Sequence, residues 1–89
     1  MTENRNVAAV DGESAELAAL RRCILAVVPA VPPEHIHPDR SLAQLGCNSI
    51  DRAEILVMAA GELAVATPVD GIHEDSDLDS LAALLRESR

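Results

Sequence analysis

The chain has 89 residues, which is enough for one small domain. Its 15 acidic residues face seven arginines, so the formal net charge is -8, and Lys, Phe, Tyr and Trp are absent. Binding to nucleic acid needs basic patches and is helped by aromatic rings that stack on bases, and anionic membrane surfaces repel an acidic protein. We therefore exclude nucleic acid and membranes as partners.

No apolar run approaches the roughly 18 residues that a membrane span requires. The stretch Met1–Asp11 lacks the basic-then-apolar order of a signal peptide, so we expect a cytoplasmic protein, and we expect it to be a monomer. Cys23 and Cys47 do not have the spacing of a metal or redox motif. Because 48% of the residues are apolar but none is aromatic, the core must be aliphatic.

Apolar periodicity predicts a first helix near the N-terminus. Residues 1–12 show little periodicity and indicate a flexible tail, followed by a domain at 13–89. Ser14 is a candidate N-cap for a helix at 15–28, which Pro29 would end. Helical spacing is shown by Leu17, Leu20, Ile24, Val27 and Val28.

A long loop follows, from residue 30 to residue 48, and it contains three of the five prolines. Loops of this length are uncommon in compact domains unless they have a function. We expect Ile36, Leu42 and Leu45 to anchor the loop to the core. Ser41 is placed to cap a short turn ahead of Leu45-Gly46.

Two further helices complete the prediction of a small all-α, four-helix bundle with three main helices and one short helix. The second helix starts at Asn48 or Ser49 and ends near Ala64. Its predicted inward face is Ile50, Ala53, Leu56 or Val57, Ala60, and Leu63 or Ala64. Its predicted outward residues are Asp51, Arg52, Glu54 and Glu62. Five acids lie within Asp70–Asp79, where we place the short turn, and the last helix spans Leu78 to about Glu87 with Asp77 as its cap.

The segment Leu45–Ile55 carries the functional signal. Gly46 permits a tight turn, and Asn48 and Ser49 then stand at the start of a helix, where free backbone N–H groups and the helix dipole favour an anion. A phosphate ester on Ser49 would be stabilised there. Ser49 could equally be an ordinary N-cap, although Asn48 is also a good capping residue. The residues alone leave both interpretations open.

The order Leu-Gly-x-x-Ser-Ile, followed by an acid and then Glu-Ile on an amphipathic helix, resembles an acyl carrier protein. The resemblance covers about residues 14–87, including the long proline-bearing loop and the acidic linker. It implies that a phosphopantetheinyl transferase attaches 4'-phosphopantetheine from coenzyme A to Ser49. It also implies that the arm's thiol carries acyl groups and that the protein itself performs no catalysis.

One position departs from the common pattern, because most carriers have Asp where this chain has Asn48. The stretch Asn48–Ile55 resembles the free-standing donor carriers of polyketide β-branching cassettes. That resemblance implies a malonyl-loading acyltransferase, a ketosynthase-like decarboxylase and an HMG-CoA-synthase-like enzyme that takes an acetyl group from the carrier. The alternatives are a general polyketide or fatty-acid chain carrier and a helical interaction module without a prosthetic group.

The start of the second helix is the predicted partner-recognition surface. Its residues are Asn48, Ile50, Asp51, Arg52, Glu54 and Ile55, all within two turns of Ser49. We hypothesise that Arg52 pairs with an acid on a dedicated enzyme. The competing interpretations are a local contact of Arg52 and an ordinary solvated helix face.

The remaining reactive residue types favour structural roles. We expect Cys23 to lie in the core because it falls within the apolar run of the first helix. We expect Cys47 to be packed because nothing in the sequence supplies a base that would activate it. The three histidines do not make a zinc ligand set, and the acids of 70–79 lack the spacing of an EF-hand. No metal site is predicted.

Overall fold

The computed structural model describes residues 13–69, 72–73 and 75–88 and contains three α-helices. They are α1 (Ala15–Val27), α2 (Ser49–Leu63) and α3 (Leu78–Glu87), and a single 3-10 turn lies at Pro33–His35. No strand forms within these residues, which confirms the all-α prediction. The flexible tail predicted for residues 1–12 lies outside the described residues.

Helix α1 follows its prediction to within one residue. The Ser14 hydroxyl accepts a hydrogen bond from the Leu17 N–H at 3.1 Å, as expected of an N-cap. Leu20 and Ile24 are fully buried, while Val27 is half-buried at the end of the helix. Helix α1 packs against both α2 and α3, so it forms the centre of the core.

Helix α2 has close to the predicted length, and its inward face agrees with the prediction at Leu56, Ala60 and Leu63. The predicted core residues Ile50 and Ala53 are exposed, whereas Ile55 and Ala59 are fully buried. The prediction is wrong at Ile50 and Ala53 because apolar residues occupy several sides of α2, so periodicity alone allowed more than one inward face. The face that packs is the more continuous one and consists of Ile55, Leu56, Ala59 and Ala60, with Leu63 half-buried.

The loop between α1 and α2 is ordered and is held to the start of α3. Ile36 and Leu42 are buried and Leu45 is half-buried, as predicted. The carbonyls of Pro38 and Arg40 each accept a hydrogen bond from the first turn of α3, both at 2.9 Å. The loop is therefore part of the folded domain.

The short helical element lies in this loop and not in the acidic linker, so its predicted position was wrong. Pro33 fits the first position of the 3-10 turn because proline has no N–H to leave unpaired and its φ is already helical. In the described part of the linker, His73 and Ser76 exchange hydrogen bonds of 3.0 Å and form a turn instead.

Helix α3 matches its predicted bounds and cap. Asp77 accepts a hydrogen bond from the Ser80 N–H at 2.8 Å. Leu78, Leu81 and Leu85 are buried as expected, and Leu84 is half-buried. The core is closed at this side by aliphatic side chains from all three helices.

Candidate functional site

A short turn delivers the chain to the start of α2. The Ser41 N–H donates to the Gln44 side chain at 2.9 Å, and the Gln44 N–H donates back to the Ser41 hydroxyl at 3.1 Å. The turn closes with the Cys47 N–H on the Leu42 carbonyl at 3.0 Å. Gly46 takes a φ of +92°, a conformation that side chains with a Cβ rarely adopt. Ser41 thus caps the predicted turn, and Gly46 allows the chain to reverse into α2.

Asn48, and not Ser49, is the N-cap of α2. Its side-chain oxygen accepts a hydrogen bond from the Asp51 N–H at 2.8 Å, and the Asp51 carboxylate accepts one from the Asn48 N–H at 3.1 Å. These two bonds make a capping box, in which each residue satisfies a backbone donor of the other. The interpretation of Ser49 as the capping residue is therefore wrong.

Ser49 is the first residue within α2, and it is exposed. Its hydroxyl makes no hydrogen bond with any described residue. The backbone N–H groups of Ser49 and Ile50 likewise have no partner among the described residues. A free hydroxyl thus stands beside two free backbone donors at the positive end of a helix, an arrangement that suits a phosphate ester.

Two charged residues, Asp51 and Arg52, follow Ser49 within one turn of α2. The Asp51 carboxylate is engaged in the capping box, and an Arg52 Nη1 donates to the Cys47 carbonyl at 3.3 Å. Arg52 forms no ion pair with any residue that the structure describes. The local contact of Arg52 considered above is therefore present, but it is made to a carbonyl and not to a carboxylate of the described residues.

Five of the six predicted recognition residues reach the surface around Ser49. Asn48, Ile50 and Glu54 are exposed, and Asp51 and Arg52 are partly exposed. Ile50 is the most prominent apolar group, with 74% of its surface accessible. Ile55 was also predicted to face partners, but it is fully buried against the core, so its side chain is not on this surface.

Sequence reasoning missed Val57 as a surface residue, although it was named as a possible core position. Its side chain is 57% exposed on the outward side of α2, two turns after Ile50. The signal that could have revealed it is the seven-residue spacing from Ile50, which puts both on one helix face. The outward side of α2 thus carries isolated apolar groups next to Glu54.

Both cysteines are buried, in agreement with their predicted packing roles. Burial is the main cause that raises the pKa of the Cys23 thiol to about 11, and the Glu62 carboxylate adds to it. Burial also raises the pKa of Cys47, with a smaller contribution from Asp51. Neither thiol is activated as a nucleophile, because activation requires a lowered pKa or an adjacent base.

Among the described residues, no group of histidine, cysteine and acidic side chains could hold a metal ion. His35, His37 and His73 are all exposed. No helix in the same part of the chain is long and apolar enough to cross a membrane.

The chain matches a known protein family over most of its length. A family model described as a phosphopantetheine attachment site matches residues 18–85. The chain belongs to this family. A search of curated proteins and a search of solved structures found no match. The matched range includes α2, the long loop with the Gly46–Ser49 segment, and most of α1 and α3.

The protein is therefore a carrier protein of the acyl or peptidyl carrier type and bears covalent 4'-phosphopantetheine. Carrier domains of this family are non-catalytic, are substrates of phosphopantetheinyl transferases and work with catalytic partners. The structure is suited to the group, because a hydroxyl with no hydrogen-bond partner among the described residues stands at an open helix start. When bound, the group supplies a thiol on which acyl groups are carried as thioesters.

Proposed function

We propose that Ser49 is the residue to which 4'-phosphopantetheine is attached. The observation that carries the proposal is that Asn48 caps α2, so that Ser49 is exposed and is not needed as the cap. The two free backbone N–H groups beside it favour a negatively charged phosphodiester. Ser14, Ser41 and Ser76, in contrast, each accept a hydrogen bond through their hydroxyl oxygens.

Loading with coenzyme A tests this assignment. The protein is incubated with coenzyme A and a broad-specificity phosphopantetheinyl transferase, and its mass is measured. We expect the wild type to gain the mass of one phosphopantetheine and Ser49→Ala to gain none. Ser80→Ala is the matched control, because Ser80 is also exposed in the first turn of a helix and should leave loading unchanged. An equal gain in Ser49→Ala would contradict the proposal.

We further propose that the carrier donates an acetyl group in polyketide β-branching. Malonate is loaded on the arm by an acyltransferase and decarboxylated by a ketosynthase-like enzyme. An HMG-CoA-synthase-like enzyme then transfers the acetyl group to a β-ketoacyl chain on a second carrier. Support comes from the segment Asn48–Ile55, in which a neutral Asn48 and a basic Arg52 replace the more acidic pattern of most carriers. The protein itself acts as carrier and not as catalyst.

Partner recognition in this proposal rests on the exposed residues near the arm. Ile50 offers an apolar contact, and Asp51, Arg52 and Glu54 offer charges of both signs. Mixed charges select a partner with complementary charges in the same arrangement and disfavour a uniformly basic surface. This patch therefore suits a dedicated enzyme better than a general one.

The donor role is tested by comparing acetyl transfer by the synthase-like enzyme from this carrier and from a chain-elongating module carrier. We expect efficient transfer only from this protein. Arg52→Glu should reduce transfer, while Arg22→Glu, at the other end of the α1–α2 interface, should not. Equal transfer from both carriers would favour the alternative, a general polyketide or fatty-acid chain carrier.

A further inference from the structure

Arg52 lies over the start of α2, although it is three residues into the helix. Side chains three apart share one helix face, and helical side chains lean toward the N-terminus. The structure shows this directly, since an Arg52 Nη1 reaches back to the Cys47 carbonyl at 3.3 Å, two residues before Ser49. The guanidinium is therefore held next to the first turn, on the side where Ser49 stands.

Arg52 is partly buried. Arg52 lines a small recess together with Leu56 and Ile72, and the recess volume is about 10 Å³, room for one water molecule. A long side chain that packs its methylene groups on apolar neighbours keeps its charge at the surface.

Among the charged side chains near the start of α2, Arg52 has no carboxylate partner within the described residues. The guanidinium has five N–H donors, and one of them is used on the Cys47 carbonyl. The Asp51 carboxylate is bound to the Asn48 N–H at 3.1 Å. A phosphodiester on Ser49 would place a second negative charge beside that of Asp51. The pKa of the neighbouring Cys47 thiol responds to both side chains, raised by Asp51 and lowered by Arg52.

We propose that Arg52 is a positioning residue for the phosphodiester on Ser49, and that its guanidinium, with the free N–H groups of Ser49 and Ile50, stabilises the loaded form of the protein. The proposal rests on attachment at Ser49. It assigns Arg52 a role inside the carrier, which exists before any partner binds. A cation in this position offsets the repulsion between the phosphodiester and Asp51.

A thermodynamic cycle, built from Tm measurements without any partner enzyme, tests this role. The Tm is measured for unloaded and loaded wild type, Arg52→Gln and Arg52→Lys at low salt. The change in Tm on loading should be less favourable for Arg52→Gln than for the wild type by about 2–4 °C. This is the size expected for one exposed charge pair in a chain of this length. Arg52→Lys should recover most of the difference, and 1 M NaCl should remove it.

The matched control is Arg22→Gln. Arg22 is paired with Glu62 at 2.7 Å, and Glu62 is 13 residues from Ser49, roughly 20 Å along α2. The charge change is the same, but loading should affect this variant as it affects the wild type. The ³¹P resonance of the loaded protein should shift in Arg52→Gln and stay in place in Arg22→Gln. Because only loaded molecules give this signal, incomplete loading of a variant does not hide the result.

Identical Tm changes in wild type and Arg52→Gln, with an unchanged ³¹P resonance, would overturn the role of Arg52. Failure of the wild type to gain mass with coenzyme A, or an equal gain in Ser49→Ala, would instead overturn attachment at Ser49. The two proposals therefore fail in different measurements.

Discussion

The starts of α2 and α3 have the same kind of N-cap but differ in what surrounds them. Asn48 and Asp77 each accept a hydrogen bond from the backbone N–H three residues later, at 2.8 Å in both helices. In α3 the next two N–H groups, of Leu78 and Asp79, are bound by the long loop. In α2 the corresponding groups have no partner among the described residues.

The first residue after each cap shows the same contrast. Leu78 is fully buried, whereas Ser49 is exposed. A helix start that is closed by a loop contributes to stability, and one that is left open can hold an anion. The two helix starts therefore differ as much in what the long loop leaves uncovered as in the residue that follows each cap.

The largest difference between the starts of α2 and α3 should appear when the first helical residue is replaced and the free energy of unfolding is measured. Leu78→Ala should lower the free energy of unfolding by about 2–5 kcal/mol, because it leaves a cavity in the core. Ser49→Ala should change it by no more than about 0.5 kcal/mol, because the hydroxyl is exposed and makes no hydrogen bond to the described residues. Urea unfolding of the unloaded protein measures both. Similar losses in the two variants would contradict the comparison.

Replacement of the α2 cap should have an intermediate effect. Asn48→Ala should destabilise the protein by about 1 kcal/mol through loss of the capping bond. Asn48→Asp should stay within a few tenths of a kcal/mol, since Asp caps as well as Asn. Chemical denaturation distinguishes them. If Ser49→Ala cost more than Asn48→Ala, the capping role would belong to Ser49.

The α3 cap should respond to acid. Hydrogen bonds from the side chain and backbone of Ser80 lower the pKa of Asp77 from its ordinary value of 3.8. A lowered pKa in the folded state gives stability that is fully present above pH 3.8 and is lost as the pH falls through the folded value. We expect the stability difference between wild type and Asp77→Asn to shrink in that range.

Urea titrations at several pH values, from neutral to acid, measure this difference. The side chain introduced by Asp77→Asn keeps a capping oxygen but cannot be protonated, so the comparison isolates the charge. A difference that grows as the pH falls would show that the charge of Asp77 does not stabilise α3.

The last prediction concerns the labelling rates of the two cysteine thiols. With its pKa raised from 9.0 to about 11, Cys23 has roughly a hundredfold less thiolate at neutral pH than an ordinary cysteine. Iodoacetamide should therefore label Cys23 and Cys47 slowly in the unloaded protein. Loading should add one thiol that reacts at the rate of a free small thiol, as followed by mass spectrometry. Fast labelling of the unloaded protein would mean that these cysteines are accessible.

Local signals account for what could be predicted. Each helix begins at a residue that can cap it, and α3 was placed at its observed bounds from Asp77 and the leucine spacing. The segment Leu45–Ile55 was singled out because Gly46, Asn48 and Ser49 occur together at a helix start. Because these features depend on residues that are close in the sequence, they can be predicted without knowledge of the fold.

The sequence by itself thus determined the all-α class, the helix bounds, the family and the serine at the start of α2. Tertiary packing decided which face of α2 turned inward, because Ile50 and Ile55 are equally apolar and only contact with the rest of the core, α1 above all, chooses between them. It also decided that the long loop closes α3 and leaves α2 open. Those hydrogen bonds join residues about 40 positions apart, and no local pattern encodes such a distance.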